Sequence, residues 1–274
     1  MKLKKMFFVL MATLLWLLIV APVNAQGKEY SVKYGSKELY GILSKPNAAA
    51  DKRQGIVILA HGFGGTHHFA YSYFEALNKL GYQAYAFDFA GGSPMSRSDK
   101  NTMNMSVLDQ QRQLETVVEH FRSQPDIDPK RIVLLGESQG GLVSALTAAS
   151  IQKKINRLVL IFPAFCIPYH WRARYPAMEQ VPDTTRLWNV PLSRQYFREI
   201  HDMDAFALAR KYRKPVLIVH GDADNVVPYA DSEKMVKLYK KATLKCIPGA
   251  GHGFNPEQQA RNLSYIIPFL QENM

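Results

Sequence analysis

The chain has 274 residues, 47% of them hydrophobic, and a formal net charge of +11. Length and apolar content exclude a disordered or disulfide-stapled miniature protein and imply one large domain with a sizeable core. The basic residues are scattered, with modest clusters at 172–174, 210–214 and 237–241; they read as a solvated surface in preference to one that attracts an acidic polymer or membrane, and with no nucleic-acid-binding motif beside them no nucleic-acid partner is expected.

The first 25 residues carry Lys2, Lys4 and Lys5, an apolar run over 6–20, and small residues ending Val23-Asn24-Ala25. That is the pattern of a secretory signal peptide, and the run is shorter than the roughly 20 residues a spanning helix needs. The expectation is cleavage near Ala25 and release of a single domain, 26–274, to a periplasm or the medium, without a lipid attachment point or stable membrane anchor. Cys166 and Cys246 are the only cysteines. An oxidising compartment would permit pairing, but a strand expected between them favours two separate thiols.

Residues 30–34 and 39–43 alternate around Gly35-Ser36 and predict a hairpin. The run 55–60 is continuously apolar, as in a strand buried on both faces. The loop His61-Gly62-Phe63-Gly64-Gly65 follows, then a helix over 68–80 and a strand over 82–89 ending in a glycine-rich turn. Apolar spacing predicts a helix over 107–122, with Pro125 just beyond it. Strand 132–135, helix 141–150, strand 158–162, strand 216–220, helix 229–240, strand 243–247 and helix 256–272 complete the pattern. This alternation defines the α/β class with a doubly wound, mostly parallel sheet. Residues 163–204 break it; they read as an irregular inserted cap, too long for a simple connection. The cap is rich in aromatics, which either form its own small core or line a substrate pocket, and Tyr169, Trp171 and Trp188 are the pocket candidates.

The chemistry centres on Gly136-Glu137-Ser138-Gln139-Gly140, between a strand and a helix. A serine on such a sharp turn holds a strained backbone that exposes its hydroxyl, and the flanking glycines relieve crowding. A serine hydroxyl needs a base, and the base needs a carboxylate. His252, in the glycine-rich loop after the last strand, is the candidate base. The turn His220-Gly221-Asp222-Ala223-Asp224 offers two acids, of which Asp224 is preferred to Asp222, giving the chain order Ser, Asp, His. The oxyanion of a tetrahedral intermediate needs two backbone donors; Gln139 N–H and Phe63 N–H are the candidates.

Other chemistries find less support. His61, His67 and His68 lie close together, yet no acid or cysteine follows at ligand spacing, so no metal is expected. Asp88 ends a strand, but no G-x-G-x-x-G precedes it, so no nicotinamide cofactor is expected either.

These motifs, together with Asp88-Phe89-Ala90-Gly91-Gly92-Ser93 and Asn104-Met105-Ser106-Val107, resemble those of the α/β-hydrolase superfamily, and within it the feruloyl (cinnamoyl) esterases and their close relatives. The resemblance spans nearly all of residues 26–274. It implies Ser138 as nucleophile, Asp224 as acid, His252 as base, and Phe63 and Gln139 as oxyanion donors. Glu137 stands where many relatives have histidine. The expectation is a serine ester hydrolase acting through an acyl-enzyme on small or polysaccharide-linked hydroxycinnamate esters, without cofactor. Acetyl or lipid esters are the first alternative. A peptidase or acyltransferase ranks lower because peptidases of this superfamily commonly carry a large extra domain; a catalytically silent binding protein is the reading from another class.

Overall fold

The computed structural model describes residues 27–46 and 53–272. The expected signal segment, 1–25, lies outside these residues. An antiparallel pair, β1 (Lys28–Tyr34) and β2 (Lys37–Ser44), opens the sheet. It turns at Gly35, whose φ of 58° suits glycine. β3 (Gln54–Ala60), β4 (Tyr82–Phe87), β5 (Ile127–Glu137) and β6 (Arg157–Ile161) follow in the chain. A separate hairpin, β7 (Thr184–Leu187) and β8 (Val190–Ser193), precedes β9 (Val216–Gly221) and β10 (Ala242–Ile247). The main sheet runs β1-β2-β4-β3-β5-β6-β9-β10, parallel from β4 onward.

The helices are α1 (Tyr71–Lys79), α2 (Val107–Arg122), α3 (Gln139–Ser150), α4 (Ile167–Arg174), α5 (Arg194–Ile200), α6 (Ala205–Ala209), α7 (Tyr229–Leu238) and α8 (Pro256–Gln271). Side chains alternate across a strand, so each central strand feeds two cores. Ile56, Ile58, Leu134, Leu158, Leu160 and Ile218 pack with Leu114, Val117 and Val118 of α2 and Leu142 and Val143 of α3. Val57, Leu59, Val133, Leu135, Val159 and Val219 pack with Tyr73, Phe74 and Leu77 of α1 and Ile266 and Leu270 of α8. Each such side chain contributes about 1.5–3 kcal/mol by leaving water, which is why these strands are apolar on both faces. Ser106 caps α2, accepting from Asp109 N–H at 2.9 Å, and Asn255 with Gln258 forms a capping box at the start of α8.

The alternation of elements follows the sequence expectation; three local features depart from it. β5 begins at Ile127 rather than 132, pairing Ile127 with Gln54 across a register shift in β3, and its polar start concealed it. The segment 163–204 is not irregular: it holds α4, a short 3-10 turn, the β7–β8 hairpin and α5. The short α6, capped by Asp204 accepting from Ala207 N–H at 3.0 Å, carried too little periodicity to read. Among the described residues no helix is long and apolar enough to cross a membrane. Cys166 and Cys246 are free, and β9 lies between the strands they follow or occupy.

Candidate active site

The chain runs from β3 out to β4, then crosses back to β5 on the other side of β3. That reversal leaves a crevice at the carboxyl ends of β3 and β5, where α/β sheets bind ligands. Ser138 stands there, between β5 and α3, with φ 54° and ψ −120°. A non-glycine residue rarely adopts this conformation, and here it lifts the hydroxyl away from the sheet. A Cβ on Gly136 would meet Gly140 O at 2.2 Å, and one on Gly140 would meet Ala60 O at 2.2 Å and His61 O at 2.4 Å. The turn is therefore packed against itself and against the end of β3.

Ser138 Oγ lies 2.9 Å from His252 Nε2, and His252 Nδ1 donates to Asp224 Oδ2 at 2.8 Å. With Nδ1–H facing the carboxylate, Nε2 is left to accept the serine proton. Asp224 Oδ1 accepts from the N–H groups of Val226 at 2.8 Å and Val227 at 2.9 Å. Its side chain is fully buried. Burial opposes its ionisation, but the bonds from His220, His252, Val227 and Val226 outweigh that and hold the carboxyl well below the usual range. It remains an anion that can stabilise a charged imidazole. Asp222 instead accepts from Gly249 N–H at 2.6 Å, bracing the loop that carries His252.

Gln139 N–H opens α3, so it has no acceptor within the helix. Phe63 sits in the loop after β3, and a Cβ on Gly62 would come within 3.1 Å of Ser138 Cβ, which brings this loop against the serine. Among the described residues neither N–H is committed to a backbone acceptor. Both residues line the cavity at Ser138. The Gln139 side chain is tied down separately: its amide donates to Gln110 Oε1 at 2.8 Å and its carbonyl accepts from Tyr196 OH at 2.8 Å.

A cavity of about 250 Å³ opens over Ser138 and Gln139, with Phe63, Trp171, Trp188 and Tyr196 among its walls. Trp188, 62% exposed at the tip of the β7–β8 hairpin, forms its rim with an edge contact to Phe63. Tyr169 is a correction. It points off the pocket, donating to Asp231 Oδ2 at 2.9 Å. The reason is helical spacing: Ile167, His170, Trp171 and Arg174 share the face of α4 that lines the cavity, and position 169 falls on the other side. Cys166 also lines the cavity, but burial pushes its thiol up to about 12, so it stays protonated.

Three further residues support the site: His220 and Phe162, given no role from the sequence, and Glu137, noted there only as a departure from relatives that carry histidine. His220, fully buried, donates to Asp224 Oδ2 at 3.2 Å and accepts from Ser232 Oγ at 2.7 Å. Phe162, at φ 35°, lays its ring 4.8 Å from the His252 ring. Glu137 accepts from Tyr73 OH at 2.6 Å; burial raises its pKa to about 7, against the Tyr73 bond and the attraction of His252. Of these only His220 had a signal, standing in the same turn as Asp224. The histidines weighed as metal ligands go elsewhere: His67 donates to Asp88 Oδ1 at 2.8 Å, and His61 accepts from Phe89 N–H at 3.0 Å.

A parallel sheet covered on both faces, with a serine, a histidine and an aspartate meeting at its carboxyl edge, is the architecture of an α/β hydrolase. A model of the prolyl oligopeptidase family matches residues 67–274, and the chain belongs to that family. Among solved structures, Est1E from Butyrivibrio proteoclasticus with ferulic acid bound superposes with a TM-score of 0.81 at 28% identity, covering 89% of this chain and 98% of that one. The uncharacterized protein YfhR of Escherichia coli (strain K12) is 26% identical over 234 residues, 84% of this chain and 74% of its own. A putative esterase/lipase 2 of Mycoplasma pneumoniae is 26% identical over 257 residues, 80% of this chain and 90% of its own.

Proposed function

We propose that the chain is an exported serine carboxylic-ester hydrolase acting on hydroxycinnamate esters of the feruloyl type. The observation that carries the reading is the continuous path from Ser138 Oγ through His252 to the buried Asp224. Ser138 attacks the ester carbonyl while His252 Nε2 takes its proton. The N–H groups of Phe63 and Gln139 hold the resulting oxyanion. The intermediate collapses, His252 returns the proton to the leaving alcohol, and the acyl group stays on Ser138. Water, deprotonated by His252, then attacks the acyl-enzyme and frees the acid. Asp224 stays ionised throughout and balances the charged imidazole.

The aromatic walls of the cavity and the likeness to Est1E, whose structure holds ferulic acid, support an aromatic acyl group. Export rests on the pattern of Lys2, Lys4 and Lys5 ahead of the apolar run. The test is a panel of methyl ferulate, acetyl and long-chain acyl esters under matched conditions. Methyl ferulate is expected to give the highest kcat/KM, and a preference for long-chain esters would make the enzyme a lipase. Family membership favours a second reading, cleavage of peptide bonds. Turnover of aminoacyl amides faster than the matched esters would establish it in place of the first.

A further inference from the structure

We propose that Arg174 selects substrates bearing an anionic group beyond the ester itself, so that the natural substrate is an acidic ester. This rests on the ester-hydrolase reading above. The cavity over Ser138 is lined by Phe63, Trp171, Trp188 and other largely apolar residues, and no acidic side chain is among them. Among the described residues the only permanently charged one lining it is Arg174, one helical turn beyond His170 on the same face of α4.

Arg174 is held in place without being neutralised. Its guanidinium lies over the rings of Trp171, at 5.5 Å, and Tyr175, at 5.4 Å. Stacking of this kind fixes a guanidinium while leaving its fork of donors free. Three acids of the same segment are engaged elsewhere: Asp183 pairs with Arg194, Asp202 with His201, and Glu199 accepts from Ser106 and Gln195; Glu179 pairs with neither Arg174 nor another cation among the described residues. Among the described residues Arg174 pairs with no carboxylate. Arg174 is exposed at the mouth of the cavity, so it acts as a solvent-facing cation that an arriving anion meets first, and its pull is weakened by salt. After loss of Lys2, Lys4 and Lys5 with the proposed signal segment, the formal net charge of +11 falls by three and stays positive, which would add a long-range attraction toward an acidic polymer.

The anion can lie on the acyl side, as the free carboxylate of a dicarboxylic half-ester, or on the alcohol side, as a uronate next to the esterified hydroxyl. Two matched pairs of esters separate these sources. The first is p-nitrophenyl hemiglutarate against p-nitrophenyl pentanoate; the second is a feruloyl ester of a uronate-containing oligosaccharide against the same ester of a neutral one. The readout is the anionic-to-neutral ratio of kcat/KM in the wild type, Arg174→Gln and Arg174→Glu. The ratio is expected to fall about tenfold in Arg174→Gln on one arm, the size of one charge-assisted contact, and further in Arg174→Glu. Added salt is expected to lower the wild-type ratio and leave that of Arg174→Gln nearly flat. Equal ratios in all three proteins on both arms, with esters still hydrolysed, would overturn the inference and leave the esterase standing, with Arg174 merely closing an aromatic stack. Hydrolysis of no ester at all would sink both.

Discussion

Glu137 and Ser138 are half-buried chain neighbours under opposite demands, one carboxyl largely desolvated without a paired cation and one hydroxyl presented by a strained backbone. Because burial holds the Glu137 pKa near 7, the folded chain keeps a proton that the unfolded chain releases at lower pH. Stability from this group is therefore full below the ordinary glutamate range and is lost as pH rises through about 7. Glu137→Gln keeps the acceptor for Tyr73 and removes the charge. It is expected to raise stability by about 1–2 kcal/mol above that window and to change it little below, as measured by denaturant unfolding across pH. Asp224 has the opposite balance, ionised by four bonds despite its burial. Asp224→Asn keeps the shape but reverses the tautomer of His252, and kcat on an aryl ester is expected to fall by about three orders of magnitude or more. At this scale most of the candidate site was legible, because Ser138, Asp224 and His252 each stand in a short glycine-marked turn at a strand end. Phe162 and Glu137 were not. Their importance comes from what packs on them in space, which no local pattern encodes.

At the scale of elements, α3 and α5 are joined through one buried bond, Tyr196 OH to Gln139 Oε1 at 2.8 Å. Gln139 supplies a candidate oxyanion donor, so this bond ties the cap to the start of the helix behind Ser138. Tyr196→Phe leaves that carbonyl without its partner and is expected to cost about 1–2 kcal/mol in stability. A severalfold drop in kcat/KM on aryl esters, with labelling of Ser138 retained, is the expected kinetic result; an unchanged kcat/KM would make the tie purely structural. The core strands and long helices could be read from sequence because burial imposes a period of two or 3.6 over many residues. The cap elements could not. Its strands have four residues each, and its hairpin turns at Trp188 and Asn189, at φ 46° and 65°, without the glycine that marks such turns. The misplacement of Tyr169 has the same origin: aromatic content signals a pocket, but only the helical register of α4 says which aromatics face it.

For the whole molecule, the reversal of strand order beside β3 brings loops distant in sequence to one edge of the sheet. His252 and Ser138 are 114 positions apart yet share a hydrogen bond. The pocket forms only where the cap closes over that edge, which makes ligand binding a report on the assembled fold. If the proposed substrate class is right, free ferulate is the product acid and is expected to raise Tm, by the equivalent of about 2.7 kcal/mol at a hundredfold excess over its Kd, and Trp171→Ala is expected to weaken that shift. An equal shift in both proteins would place the acid outside the cavity. Ser138 as nucleophile is tested most directly by intact-mass and peptide mapping after treatment with a fluorophosphonate probe, alongside p-nitrophenyl ester turnover, in the wild type and Ser138→Ala. A single adduct on Ser138 that abolishes turnover, with neither adduct nor turnover in Ser138→Ala, is the predicted result. Ester hydrolysis at the wild-type rate by Ser138→Ala, or an adduct on another residue accompanying the loss of activity, would contradict it.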